Sequence, residues 1–217
     1  MPQFKTMVLK PTDLTYLERN LFDSNKQLQV VPASFYESIS QNDLSYFCWK
    51  HGFYCLPTVE LCDWLKQKIN GRSAIEIGAG HGAVCKYLGI PGTDNRLQDD
   101  PMVKSAYALQ GQPCVNYPSH LIKMTGNEAV KHFKPEVVIA CWVTQIYLET
   151  EHWRGGNMYG VDENAILNDV SCYIHVGHLG THSTKRILSK PHEKFSFPWM
   201  YCRSMDTDKQ IIYVWGN

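Results

Sequence analysis

One carboxylate and three closely spaced glycines form the part of this sequence best suited to chemistry. Glu76 lies in an apolar stretch, and the glycines follow at alternate positions, Gly78, Gly80 and Gly82. Glycine permits a tight turn with positive φ and lets a ligand approach the backbone where no Cβ intervenes. A helix that begins after this turn would direct its free N–H groups toward the gap. The pattern therefore predicts a site that holds a small polar molecule against the backbone.

Alternating strand and helix patterns surround this turn and predict how it is positioned. The stretch 74–77 is a strand covered on both faces, because it is apolar apart from its one acid. Further strands are predicted at 89–93, 115 or 121–124, 137–142 and 172–176, and in a terminal hairpin of 195–204 with 210–215 across the polar turn 205–209. Helices are predicted at 13–22, 59–69, 82–88, 101–109, 127–133 and 162–169. The sequence therefore predicts an α/β fold with a mostly parallel sheet of seven strands, helices on both faces and an antiparallel C-terminal hairpin.

Composition and charge limit the classes of protein that this chain can belong to. The 217 residues are 44% hydrophobic and 19% charged, with Lys+Arg and Asp+Glu both at 21, as in an ordinary globular domain. This balance gives no indication of nucleic-acid binding, although a local basic patch stays open. No apolar run approaches the ~20 residues of a membrane span, and no signal peptide is recognisable, which predicts a cytoplasmic protein without membrane contact.

Cysteine and histidine spacing predicts free thiols and no metal site. The cysteines stand singly, without the C-x-x-C pairs that a structural zinc site would need. His178 and His182 lie four residues apart, but Gly180 disfavours a helix that would align them, so we expect a loop there. The cysteines are Cys48, Cys55, Cys62, Cys85, Cys114, Cys141, Cys172 and Cys202.

These features together resemble the class I S-adenosylmethionine-dependent methyltransferases, over residues 57–217. The family's first motif is an apolar strand with an acid two residues before G-x-G-x-G, which matches Glu76 and the run Gly78-Ala79-Gly80-His81-Gly82. An acid that ends the family's second strand holds ribose hydroxyls, and Asp94 stands there. The last strand of the family is inserted antiparallel, as expected here for 210–215. The resemblance implies a Rossmann-like domain, preceded by an N-terminal cap or substrate element over residues 1–56.

The resemblance also implies S-adenosylmethionine as the cofactor and indicates which residues contact it. The family's third motif places an acid near the adenine amino group, which the stretch 124–128 lacks unless Asn127 or Glu128 substitutes. Met124 is expected to pack on the adenine ring. Cys141 is interpreted as a strand residue at the site and not as a nucleophile, because no base is assigned to it. The expected cofactor residues are Glu76, Gly78, Ala79, Gly80, Gly82, Asp94, Met124 and Cys141.

The segment after the fourth strand is where this family meets its acceptor. Trp142 and Tyr147 are predicted to form a stacking wall for a flat or cationic acceptor. His152, just before Gly155-Gly156, is the candidate general base, because histidine titrates near neutral pH. The segment lacks the paired prolines and the Pro-Cys nucleophile of the DNA-methylating enzymes. We therefore expect a small-molecule acceptor.

Two other functions stay open from the sequence, as does the oligomeric state. A binding protein would keep the fold and the cofactor without transferring a methyl group. A dinucleotide-dependent oxidoreductase would use the match of Gly78, Gly80 and Ala83 to G-x-G-x-x-A, with Asp94 on a ribose. Glu76, the third glycine and the short chain favour the methyltransferase interpretation.

Overall fold

A computed structural model gives the structure of the protein over residues 9–216; residues 1–8 of the expected N-terminal element, and Asn217, lie outside the described residues. The helices are α1 (Thr15–Leu21), α2 (Ala33–Tyr36), α3 (Gln41–His51), α4 (Val59–Ile69), α5 (Ala83–Leu88), α6 (Pro101–Leu109), α7 (Gly126–Phe133), α8 (Glu163–Asp169) and α9 (Leu179–His182). The strands are β1 (Cys55–Leu56), β2 (Ala74–Ile77), β3 (Gly92–Asp94), β4 (Ile122–Lys123), β5 (Val137–Cys141), β6 (Cys172–His178), β7 (Glu193–Phe195), β8 (Tyr201–Cys202) and β9 (Gln210–Gly216).

Seven of these strands form one sheet, in the order β4-β3-β2-β5-β6-β9-β7. The neighbours from β4 to β6 are all parallel. β9 is inserted between β6 and β7 and runs antiparallel to both. This arrangement confirms the predicted α/β fold, a Rossmann-like and mostly parallel sheet of seven strands with a C-terminal antiparallel hairpin.

The central strand β5 shows why helices cover both faces of the sheet. Successive side chains of a strand point to opposite faces, so a fully apolar strand buries both. Val137 and Ile139 belong to a core cluster that includes buried residues of α4 and α5. Val138 and Ala140 belong to a second cluster that includes residues of α7 and α8. The continuous apolar run in the sequence therefore corresponds to a strand between two layers of helices.

Local capping residues set the ends of the helices that pack on the sheet. The Thr58 side chain accepts a hydrogen bond from the Leu61 N–H at 3.1 Å, and Asn70 ends α4 in the left-handed conformation at φ 49°. Thr125 and Glu128 form a capping box at the start of α7. Such caps satisfy backbone groups that the helix itself leaves unpaired.

Several strand boundaries differ from the prediction for identifiable reasons. β5 ends at Cys141, because Trp142 takes a positive φ of 59° and leaves the extended conformation. β3 begins only at Gly92, because Gly89 ends α5 with a φ of 66°. The third strand of the prediction is reduced to the two residues of β4, and Val115 is not part of it.

The C-terminal hairpin also has a shorter first strand than the predicted 195–204. Only β7 pairs with β9. β8 instead pairs antiparallel with β1, in a separate two-stranded sheet. The chain from β7 to β8 therefore leaves the main sheet and returns to the N-terminal part of the protein.

The described N-terminal residues pack against the rest of the chain through a third core cluster. Leu14, Leu21 and Phe47 lie in this cluster together with Leu56 and Ala83. The side chain of Gln41 also donates hydrogen bonds to the carbonyl oxygens of residues 202 and 204, at 3.0 and 2.8 Å. The division into an N-terminal element and a domain from residue 57 stays a prediction. Over residues 9–216, no helix has the length and apolar character to cross a bilayer.

Removing a central core side chain should test this packing. We expect Ile139→Ala to lower the free energy of unfolding by about 2–5 kcal/mol, because it leaves a cavity between β5 and its helices. Leu109→Ala is the matched control: Leu109 is 90% exposed, so its loss should change stability by less than about 0.5 kcal/mol. Urea denaturation followed by circular dichroism measures both. Equal effects of the two substitutions would contradict this account of the core.

Candidate functional site

A cavity of about 220 Å³ opens at the carboxyl ends of β2, β3 and β5. This edge of an open parallel sheet is where ligands bind in such folds. The cavity wall is built from the glycine turn after β2, from the ends of β3 and β5 on either side of it, and from segments that are distant in the sequence. It includes Tyr54, Cys55, Glu76, Gly78, Ala79, Gly80, His81, Asp94, Tyr107, Tyr117, Cys141, Trp142, Asn157 and Tyr159.

The three glycines of the turn adopt positive φ but serve different surfaces. Gly78 has a φ of 57°, and a Cβ there would lie 2.7 Å from the Val143 side chain. Gly80, at φ 53°, also lines the cavity, whereas Gly82 packs closely on the His120 ring. The predicted turn is therefore present, with the first two glycines at the cavity and the third against a neighbouring side chain.

Asp94 ends β3 and bonds the glycine turn directly. Its Oδ2 accepts a hydrogen bond from the Gly80 N–H at 2.9 Å, and its Oδ1 accepts one from the Arg96 N–H at 2.8 Å. Burial raises the pKa of this carboxyl above its ordinary value, while these hydrogen bonds act in the opposite direction. A carboxylate oxygen can accept more than one hydrogen bond, so both oxygens retain capacity for ligand hydroxyls.

Glu76, the next-to-last residue of β2, is a buried acid with a backbone partner. Its Oε2 accepts a hydrogen bond from the Cys85 N–H in the first turn of α5, at 2.8 Å. The His81 Nδ1 accepts one from the Ala83 N–H at 3.1 Å. From the sequence, we expected these two N–H groups to face the ligand. They instead donate hydrogen bonds to the side chains of Glu76 and His81, since Gly82 at the N-cap has no side chain that could accept them. Burial raises the pKa of Glu76 to about 7.

Trp142 forms one side of the cavity in a conformation unusual for a large residue. Its N–H donates to the Val176 carbonyl at 2.8 Å, and its φ is positive. The ring lies 6.0 Å from Tyr54 and 6.0 Å from His178, nearly parallel to the latter, and 5.2 Å from His182. Aromatic neighbours on three sides hold this ring in place at the cavity.

A short helix, α9, replaces the loop expected after the fifth strand. The Nδ1 of His182 accepts a hydrogen bond from the His178 N–H at 2.9 Å, and His178 in turn caps the helix through its own Nδ1. Burial lowers the pKa of His182 to about 3, so this ring is neutral near pH 7. The two histidines therefore support Trp142. Over residues 9–216, no group of three or more His, Cys, Asp or Glu side chains is arranged to hold a metal ion.

A buried ion pair lies beneath these histidines. The Lys185 ammonium is 2.7 Å from Glu163 Oε2, and the Tyr173 hydroxyl donates to Glu163 Oε1 at 2.8 Å. Burial lowers the pKa of Lys185 and, together with the Lys185 charge, holds the pKa of His175 well below its usual range. Sequence patterns gave no signal for this network, because its members come from α8, β6 and the segment after α9.

The loop between β5 and α8 forms another wall and is firmly attached. The Gln145 side chain donates to the Arg154 carbonyl at 2.8 Å and accepts from the Arg186 N–H at 2.9 Å. A Cβ at Gly160 would overlap the Gln145 backbone. These close contacts bring Asn157, Tyr159 and Gly160 to the cavity.

Some residues expected at the site lie elsewhere among the described residues. His152 lies in a 3₁₀ turn of the loop, Tyr147 is 41% exposed, and neither lines the cavity. Met124 packs against the core cluster between the sheet and α7, outside the cavity wall. Their catalytic and cofactor roles stay predictions.

The two candidates for the missing third-motif acid both have structural partners. Asn127 donates to the Asp162 carbonyl at 3.0 Å and accepts from the Asp162 N–H at 3.1 Å. Glu128 is engaged in the capping box with Thr125. Asn127 also lines a second cavity, which adjoins the first and shares Asn95, Leu97, Thr125, Tyr159 and Gly160 with it.

Comparison with known proteins adds weak similarities in structure. No family model and no curated protein matches the chain. The crystal structure of Thermoplasma acidophilum 1320 is 15% identical, with a TM-score of 0.36 and coverage of 80% of this chain and 94% of that one. A SAM-dependent methyltransferase from Agrobacterium tumefaciens is 8% identical, with a TM-score of 0.34 and coverage of 73% and 61%. The fold assignment therefore rests on the order and direction of the strands in the sheet and not on these similarities.

The raised pKa of Glu76 predicts a pH-dependent contribution to stability. A carboxyl with a pKa of about 7 in the folded protein and 4.5 as its ordinary value binds its proton more tightly when folded. Its stabilising contribution is complete below the lower value and is lost as pH rises through about 7. Relative to Glu76→Gln, we expect the wild-type free energy of unfolding to fall by about 3 kcal/mol from pH 4.5 to pH 8.

Chemical denaturation at several pH values measures this difference. Glu37→Gln, which changes an exposed glutamate, is the control. A difference between wild type and Glu76→Gln that does not vary with pH would show that the Glu76 carboxyl is not desolvated as described.

Proposed function

We propose that this protein is an S-adenosylmethionine-dependent methyltransferase that acts on a small-molecule acceptor. The observation that carries the proposal is the pairing of two acids with one glycine turn, at the carboxyl ends of adjacent parallel strands. Glu76 and Asp94 both line the cavity, and Asp94 bonds the Gly80 N–H. The insertion of β9 antiparallel next to β6 matches the resemblance seen in the sequence.

The proposal assigns a part of this cofactor to each of several residues at the cavity. In the proposal, Asp94 accepts hydrogen bonds from the ribose hydroxyls, and Glu76 attracts the ammonium of the methionine part. The positive φ of Gly78 and Gly80 leaves backbone exposed where a Cβ would otherwise project. The adjoining second cavity extends the site beyond Asn95 to Asn127, in the stretch that the resemblance places near the adenine.

The acceptor is proposed to bind beside Trp142 and Tyr54, whose rings lie 6.0 Å apart at the cavity. The bound cofactor supplies an activated methyl group on a sulfonium. The protein's part is then to orient the acceptor and exclude water, which accounts for much of the rate in a displacement of this kind. An aromatic wall suits a flat or cationic small molecule, and the balanced net charge supports a small acceptor over a nucleic acid.

Calorimetry with S-adenosylhomocysteine tests the proposed cofactor site. Wild type should bind it, and Asp94→Asn should weaken binding roughly 10–100-fold, because it removes hydrogen bonds to a charged acceptor. Asp208→Asn, in the exposed turn before β9, is the matched control and should bind like wild type. The same titration with NADH tests the dinucleotide-dependent alternative.

Other outcomes of this titration distinguish the alternatives. Saturable binding of NADH without binding of S-adenosylhomocysteine would replace the proposal with a dinucleotide-dependent oxidoreductase. Binding of S-adenosylhomocysteine, with no methyl transfer to any pool of small-molecule acceptors, would leave a binding protein.

A further inference from the structure

A third cavity, of about 290 Å³, lies apart from the proposed cofactor site, and its wall consists of polar side chains. Among the described residues, it has no lining residue in common with the first two cavities. We call it the arginine cavity, because two arginines face each other across its sequence-distant sides. It is lined by Glu151, Arg154, Asn164, Asn168, Arg186, Ser189 and Lys190.

The buried ion pair between Lys185 and Glu163 brings the segments of this cavity together. The charged atoms lie 2.7 Å apart, and both side chains are 3% exposed. Asn164 follows Glu163 in α8, and Arg186 follows Lys185 in the segment after α9. Asn168 comes four residues after Asn164 and therefore lies on the same face of α8. The ion pair thus fixes two of the three segments that form the wall.

The two guanidinium groups are held in place by contacts that leave N–H donors for a ligand. Arg154 Nε lies 3.1 Å from Glu151 Oε2, and Arg186 Nε lies 4.0 Å from the same oxygen. Their terminal nitrogens donate to the carbonyl oxygens of Thr184 and Ile146, each at 3.3 Å. A guanidinium carries several N–H donors in a rigid plane, so both groups keep donors after these contacts.

The charges of the wall favour a doubly negative ligand. Arg154, Arg186 and Lys190 are cationic and Glu151 is acidic, which gives the wall a net formal charge of +2. The two arginine side chains are 26% and 13% exposed, so solvent screens their charge less than that of a surface group. A phosphate group carries about −1.5 to −2 charges near pH 7 and offers several acceptor oxygens. It therefore matches both the charge and the donors of this cavity.

Neutral polar groups complete the wall. The Asn164 Oδ1 is buried and has no hydrogen-bond partner within residues 9–216. A buried polar atom without a partner costs free energy, which a hydrogen bond to a ligand would recover. Because an amide has both donors and an acceptor, Asn164 can bond a protonated or an unprotonated phosphate oxygen.

We propose that the arginine cavity binds a small phosphate-bearing anion, and that the bound anion fastens the loop between β5 and α8. The backbone of both arginines already holds this loop. The Arg154 carbonyl accepts hydrogen bonds from the side chains of Gln145 and Thr184, both at 2.8 Å. The Arg186 N–H donates to Gln145 Oε1 at 2.9 Å. An anion that bridges the two guanidiniums adds a further connection between the loop and the segment after α9.

The same loop forms a wall of the first cavity, so the two cavities are connected through it. Binding of the anion is independent of S-adenosylmethionine and goes beyond the proposed function.

Titration of the full-length protein with inorganic phosphate, followed by calorimetry, tests the proposal. Wild type should bind phosphate saturably, and Arg186→Gln should weaken binding by at least about 10-fold, because it removes charge-assisted hydrogen bonds. Lys190→Gln changes an exposed side chain that folding does not need, and it should weaken binding roughly 2–5-fold. Arg19→Gln, at an exposed position of α1, is the matched control and should bind like wild type.

Glu151→Gln distinguishes a ligand site from arginines that only hold the loop. This substitution removes the carboxylate that competes with phosphate for both guanidiniums, so we expect phosphate binding to tighten roughly 5-fold. Arginines with a purely structural role would give no phosphate binding to tighten.

Hydrogen–deuterium exchange measures the effect on the loop. Saturating phosphate should slow the exchange of backbone amides between residues 145 and 160 in wild type, and should not do so in Arg186→Gln. Three results would overturn the proposal: no saturable binding by wild type, equal affinities of Arg186→Gln and Arg19→Gln, or loop exchange that bound phosphate leaves unchanged. Failure to bind S-adenosylhomocysteine would count against the methyltransferase proposal and not against this one.

Discussion

The hydrogen bond from the Cys85 N–H to the Glu76 carboxylate is the contact on which the site depends. It joins the end of β2 to the first turn of α5, so the glycine turn between them has both of its ends fixed. Gly82 cannot cap this helix, because glycine has no side chain, and the buried acid two residues before the turn takes that role. With the turn held in this way, the Gly80 N–H is presented to Asp94, which links β2 to β3 at the cavity.

Local sequence patterns predicted those helices, strands and turns whose conformation depends mainly on residues close by in the sequence. The apolar run ending at Cys141 could be recognised as a strand covered on both faces, because each of its side chains needs an apolar partner whatever the details of packing. The three glycines were recognised because positive φ restricts residue choice, and all three adopt it. Asp94 was expected from the resemblance, as the acid at the end of the family's second strand, and the structure places it at the end of β3 in the cavity wall. The seven-stranded sheet follows from the alternation of such segments.

Contacts between segments that are far apart in the sequence left no pattern from which they could be predicted. Tyr54 and Cys55 reach the cavity because β1 pairs with β8, and no spacing in the sequence relates these two strands. Trp142 follows β5 with a positive φ that a large residue disfavours, and its aromatic neighbours and its hydrogen bond to the Val176 carbonyl support this conformation. Met124 was expected at the adenine from the resemblance; its half-buried side chain packs against the core cluster, and its cofactor role stays a prediction. Sequence reasoning thus located the glycine turn, Cys141 and Trp142, and missed Tyr54 and Cys55, which β1 brings to the cavity.

Helix α6 has a consequence for how a ligand enters this cavity. Its nine residues include no buried side chain, and Met102 and Leu109 are 83% and 90% exposed. With so few contacts to lose, its backbone amides should exchange with solvent deuterium far sooner than those of β5, because local opening costs least where packing is sparse. Tyr107 of this helix lines the cavity, so each local opening of α6 also displaces part of the cavity wall. One part of the cavity wall is thereby carried by a helix that no buried side chain anchors to the core.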